Sequence, residues 1–126
     1  MKDLSYQLIK KSLDVSSLRQ SLIASNIANL NTPGYKVNKV EFEKYLAEAR
    51  EGLQLTKTNP AHIATKDITD IQPVVEKRET TSLRDDGNNV DLDLEMTELA
   101  ANEIYYNTLI QLLNARLGNL NYVINK

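Results

Sequence analysis

The chain has 126 residues, 15 Lys and Arg against 17 Asp and Glu for a net charge of −2, and no cysteine. That length suits one domain, and the near-neutral balance gives no general attraction to nucleic acid or an anionic membrane. The missing thiols exclude disulfides, thiolate metal sites and cysteine nucleophiles.

The first predicted element is a helix over residues 3–29. Leu4, Leu8, Val15, Leu18 and Leu22 follow a four-three spacing, Ile9, Leu13, Ile23 and Ile27 widen the stripe, and no Pro or Gly interrupts it. It stops at Thr32-Pro33-Gly34-Tyr35, because Pro33 excludes the α region for Thr32. Pro33 and Gly34 fit the two central positions of a type II turn, whose second central residue needs positive φ. Asn26 and Asn29 fall on one face of the last turns. They either fray the helix end or offer amides to neighbouring backbone or to a second chain.

A short helix is expected over Glu41–Arg50, closed by Gly52. Residues 53–89 then read as an extended polar middle segment, with Leu53–Thr58 and Val74–Thr80 as short strands or a small β-hairpin. Asp85 to Asn89 form a turn, and Asp91 is placed to cap a following helix whose first turn carries Asp93 and Glu95.

That last helix, residues 90–125, is expected to be ~50 Å long, against roughly 35 Å for the diameter of a compact globule of this size. Its seam steps by four and three through Leu92, Met96, Leu99, Glu103, Tyr106, Ile110, Leu113, Leu117, Leu120 and Ile124, broken only by Glu103. From Leu99 to Lys126 the charges are Glu103, Arg116 and Lys126 alone, and the remaining faces are amides and further apolar residues. Uncharged amides can cross a packed interface without the desolvation cost of ions. The fold class is thus mainly α: long N- and C-terminal helices form an antiparallel coiled-coil-like hairpin, with a short third helix between them. Within a single domain the parts are residues 1–52, 53–89 and 90–126. The surplus seam predicts packing against other chains through Leu8, Val15, Leu18, Leu22, Asn26, Asn29, Leu92, Met96, Leu99, Tyr106, Ile110, Leu113, Leu117, Leu120 and Ile124. Leu113→Asp is expected to block such assembly.

Enzyme chemistry has little support. His62 is the single histidine, and it lacks a nucleophile elbow or an evident orienting acid. A calcium loop starting at Asp85 would need glycine at its sixth position, whereas Gly87 is third. The four glycines are isolated, so no phosphate-cradling loop forms. No catalytic residue, cofactor or metal is therefore assigned. No run is apolar enough to span a membrane, and the Met1-Lys2-Asp3-Leu4-Ser5 start does not read as a cleaved secretion signal.

Two blocks are more specific than helix stops and caps require. Ala24, Asn26, Ile27, Ala28, Asn29, Thr32, Pro33, Gly34 and Tyr35 match the A-N-N-I-A-N-x-x-T-P-G-[YF] pattern of the axial proteins of the bacterial flagellum, with Ser25 in place of an Asn. The block Asp86-Gly87-Asn88-Asn89-Val90-Asp91-Leu92-Asp93-Leu94-Glu95-Met96, together with Thr58 to Ile63, resembles the proximal-rod members of that family. The resemblance covers most of the chain. It implies a non-enzymatic structural subunit, exported through the flagellar type III apparatus without signal cleavage. Such a subunit assembles with copies of itself and other rod proteins into a tube crossing the periplasm, near a FliE-type adaptor and the export gate, and contributes to motility. It implies no nucleic acid and no membrane span. A helical-hairpin adaptor or chaperone that clasps another protein's helix explains the stripes as well, but not the two blocks.

Overall fold

The computed structural model describes residues 4–58, 70–79 and 84–124, with the backbone alone at 52–58. His62 and the Asn59 to Ile63 part of the central motif lie outside the described residues. In chain order the elements are α1 (Leu4–Ala28), β1 (Asn38–Glu41), α2 (Glu43–Thr58), β2 (Val74–Lys77) and α3 (Leu92–Ile124). The long terminal helices pack against each other, as the sequence predicts.

A two-stranded antiparallel sheet pairs β1 with β2, setting Val40 opposite Val75 and Glu41 opposite Val74. One of its strands lies where the sequence predicts it, at Val74–Lys77. The other does not. Leu53–Thr58 belongs to α2, which runs through Gly52 instead of ending there. The surrounding Glu, Lys, Leu, Ala, Arg and Gln residues are strong helix formers, and one interior glycine costs only about 1 kcal/mol. Strand β1 instead uses Lys39-Val40-Glu41, whose alternation buries Val40 and leaves Lys39 in solvent, joined to Glu41 at 2.7 Å.

The principal core is small. Phe42, Val15, Val40 and Ile71 are buried together, with Leu18, Leu22, Tyr45, Leu46 and Ala49 packed around them. It sits between one face of α1, the sheet and α2. Arg19 ties the same elements from the outside through a two-pronged pair to Glu43, at 3.0 and 2.8 Å. At Glu43 burial pushes the carboxyl up, but the Arg19 hydrogen bonds and charge, together with backbone hydrogen bonds at Glu43 and Phe42, outweigh it, and the net displacement is downward.

The second face of α1 meets α3, through a different stripe from the predicted seam. The buried residues of α3 are Glu95, Asn102 and Leu109, seven apart. With Leu99, Leu113, Arg116 and Leu120, all half-buried, they form a four-three run displaced by one position along half the predicted seam. The ridge of 99, 106, 113 and 120 is common to both. The ridge of Met96, Glu103 and Leu117 is exposed, and Glu103 points to solvent instead of interrupting a packed seam. The reason lies on α1: Ser12 and Ser16 are buried there. Small side chains let the axes approach closely, and the buried Ser16 hydroxyl demands a partner that Asn102 supplies and an all-apolar seam would not.

Among the described residues, no helix is long and apolar enough to cross a membrane.

Candidate functional site

The two sequence blocks, about sixty residues apart, form one interlocked junction. After α1 the chain makes the expected turn: Tyr35 N donates to Thr32 O at 3.2 Å, and Gly34 has φ of 72°. The carbonyls at the end of α1 have no helical partners of their own. Asn88, fully buried, supplies them: its side-chain nitrogen lies 2.9, 3.0 and 2.8 Å from the carbonyl oxygens of Asn29, Leu30 and Thr32. Its Oδ1 accepts from Val90 N at 2.8 Å. Arg84 adds a bond to Leu30 O at 2.6 Å.

Backbone bonds run between the blocks in both directions, from Gly34 N to Asp86 O at 2.8 Å and from Asn89 N to Tyr35 O at 3.1 Å. Asn89 Oδ1 accepts from Val37 N at 2.7 Å, and its Nδ2 donates to Arg78 O. The acidic residues serve this geometry. Asp86 Oδ1 accepts from Asn88 N, and Asp91 Oδ1 caps α3 by accepting from Asp93 N and Leu94 N at 3.1 and 3.3 Å.

Gly87 has φ of 78°, and an added Cβ would lie 3.7 Å from Gly34 Cα, an ordinary contact. The backbone conformation, not space, therefore requires glycine. Gly87→Ala is expected to destabilise the fold by about 1–2 kcal/mol, read as a lowered urea midpoint with an unchanged slope.

Beneath the turn, Asn26 joins four segments while only 1% exposed. Its Nδ2 donates to Asn38 O at 2.9 Å and Glu95 Oε2 at 3.1 Å, and its Oδ1 accepts from Tyr35 Oη at 3.0 Å and Asn38 N at 3.1 Å. All four capacities of the amide are used. Nearly three turns back, Ser16 Oγ donates to Asn102 Oδ1 at 2.9 Å, and Asn102 Nδ2 returns bonds to Ser16 O and Gln20 Oε1 at 2.9 and 3.0 Å. Sequence places Glu95 only in the second block and the first turn of α3, and gives Asn102 and Ser16 no individual role. The seven-residue recurrence of 95, 102 and 109 was the available signal, masked because two of the three are polar.

The remaining candidate residues divide by exposure. Val15 and Asn26 are buried, whereas Leu8, Leu18, Leu22, Asn29, Leu99, Ile110, Leu113 and Leu120 are half-buried. Leu92, Met96, Tyr106, Leu117 and Ile124 are exposed, as are Ile104, Leu112, Tyr122 and Val123. The antiparallel bonds of Asn102 to Ser16 and Gln20 set the register. Extrapolated at 1.5 Å per residue, α3 runs about 12 Å past the point opposite Leu4. Tyr122, Val123 and Ile124 on that overhang are 64, 72 and 77% exposed.

A family model described as "Flagella basal body rod protein" matches residues 16–36, the end of α1 and the turn. The chain is 37% identical over 118 residues to the flagellar basal body rod protein FlgB of Bacillus subtilis (strain 168), covering 94% of this chain and 91% of that one. The FlgB of Borrelia hermsii is 36% identical over 130 residues, covering 97% and 96%. That of Salmonella typhimurium (strain LT2) is 30% identical over 129 residues, covering 97% and 94%. The turn-and-cap junction falls on the matched segments, and identity at this level over nearly the whole length of both chains places the protein in the FlgB family of flagellar basal body rod proteins.

Proposed function

We propose that the protein is a structural, non-catalytic subunit of the flagellar proximal rod that self-assembles helically through its terminal helices and supports motility. The observation that carries this reading is the uncovered surface of α3 around the stripe that meets α1, where Leu92, Met96, Ile104, Leu112 and Leu117 are all at least 41% exposed. Monomeric proteins rarely leave so long an apolar face uncovered. Heterologous contacts that do not close on themselves build filaments, and a stiff helical hairpin with a bare outer ridge is suited to making them. The assembly surface is the exposed row of Leu92, Met96, Tyr106, Leu117 and Ile124, with the half-buried Leu8, Asn29, Leu99, Ile110, Leu113 and Leu120 at its margins; Leu18 and Leu22, also expected there, pack against the principal core.

On this reading the chain leaves the cytoplasm through the flagellar type III apparatus without signal cleavage. It takes its place in the periplasmic rod beside other rod proteins, a FliE-type adaptor and the export gate. The small core and the absence of cysteine suit a chain that must pass unfolded through a narrow conduit. Purified rods are expected to contain the chain as a stoichiometric subunit, with density for α3 running along the tube wall. Rods lacking it, with the protein instead bound in the cytoplasm to a helix of another protein, would overturn the reading in favour of an adaptor.

A further inference from the structure

We propose that the buried Glu95 carboxyl is a protonation-controlled latch on the α1–α3 hairpin: neutral, it is accommodated in its buried place where α3 crosses α1; ionised, its uncompensated burial opposes closure of α3 on α1. Glu95 is 4% exposed and sits where α3 crosses the end of α1. Its side chain receives one hydrogen bond, from Asn26 Nδ2 at 3.1 Å. An ionised carboxylate can accept about four. Among the described residues no cation lies within 4 Å of it.

The charged groups around it leave that burial uncompensated. From α1, Arg19 faces the same cleft but is committed to Glu43 at the start of α2. From β1, Lys39 is paired with Glu41. Beyond β2, Arg78 attracts the carboxylate from a distance while its Nη2 donates to Asn89 O at 3.1 Å. On α3 itself Asp91 and Glu98 are both repulsive. Burial is the dominant influence and pushes the Glu95 carboxyl above the usual carboxylate range; the Asn26 bond and Arg78 oppose it without reversing it. A cleft of about 460 Å³, bordered by Arg78, Leu94, Glu98 and Tyr105, opens onto Glu95 and gives protons and water access.

A carboxyl with a raised value in the fold binds its proton more tightly there than in the unfolded chain. Its stabilising contribution is complete below the unfolded value near ~4.3 and is lost as pH rises through the folded value. Glu43, displaced the other way, contributes above the unfolded value and loses that contribution as pH falls. A difference measurement on Glu95 alone separates the two.

Glu95→Gln keeps the shape and the acceptor for Asn26 and removes the charge. Its melting midpoint at pH 7.5 is expected to exceed that of the parent by about 3–6 °C, with the gap narrowing toward pH 4.5. Equal or lower stability of E95Q at pH 7.5, or a gap that does not change with pH, overturns the latch. Should the variant fail to fold, the carboxyl carbon of Glu95 in the parent, followed by NMR, gives the same decision. Titration above ~4.3 supports the proposal, and titration at or below it overturns it. The latch concerns the folded chain itself, so its failure would leave the assembly reading intact.

Discussion

Asn26→Ala is expected to lower the free energy of unfolding by about 3–5 kcal/mol, near the upper end for a single substitution. The loss comes less from the bonds than from what they leave behind. Tyr35 Oη, the Asn38 amide and carbonyl and the buried Glu95 carboxylate all turn to Asn26. Removing the amide strands polar groups that all turn to one buried side chain. Asn26→Asp makes an informative companion. It keeps the size but exchanges two donors for a charge opposite Glu95, so it is expected to be at least as destabilising at neutral pH and less so as pH falls. Chemical denaturation of the purified chain at several pH values measures both. An alanine variant within 1 kcal/mol of the parent would show that Asn26 is not the knot of the junction.

Leu117→Asp is expected to abolish assembly while leaving the folded monomer nearly unchanged. Leu117 is 41% exposed on the outer ridge of α3, near where that helix runs beyond α1. Exposed substitutions away from caps and cores typically change stability by no more than about 0.5 kcal/mol. An unpaired carboxylate buried at a subunit contact costs several times that at every repeat of the lattice. The structure makes this a better probe than Leu113→Asp. Leu113 is half-buried beside α1, so a charge there damages the hairpin and the proposed contact together, and loss of assembly could not be assigned. The measurement pairs a melting curve of the isolated variant with a motility assay in a strain carrying it as the sole copy. Normal swimming with a normal melting curve would remove the outer ridge from the assembly surface.

The comparison of Leu113 with Leu117 shows where periodicity stops informing. Apolar residues at four-three spacing identify α3 as a long helix with a packing stripe, and that holds over Leu92–Ile124. On α3, however, two four-three runs share the ridge of 99, 106, 113 and 120 and differ only in whether its partner is 96, 103, 110 and 117 or 95, 102, 109 and 116. The first is richer in apolar residues. The second contains Glu95, Asn102 and Arg116, and it is the one that faces α1. Hydrophobic pattern ranks these by transfer free energy. The fold ranks them by whether buried donors and acceptors are satisfied across a close helix contact, a property of two helices at once.

Local chemistry was readable in the chain itself. Pro33-Gly34 specifies the turn because the ring sets one φ and only glycine readily takes the other. Asp91 starts α3 because its short carboxylate reaches the first free amides, and the stripes make both terminal segments long helices. Motif identity likewise sufficed to point to the flagellar rod family. Tertiary structure decided the rest. It converted the Asn88 side chain, which locally suggests only a turn, into the cap for carbonyls nearly sixty residues earlier. It paired the strand at Val74–Lys77 with Lys39-Val40-Glu41 instead of with Leu53–Thr58. It also turned α3 so that its amide-bearing ridge meets α1 and the more apolar one faces out. Short-range sterics and hydrogen bonds are encoded residue by residue, whereas satisfaction of buried polar groups depends on partners that only the folded chain brings within 3 Å.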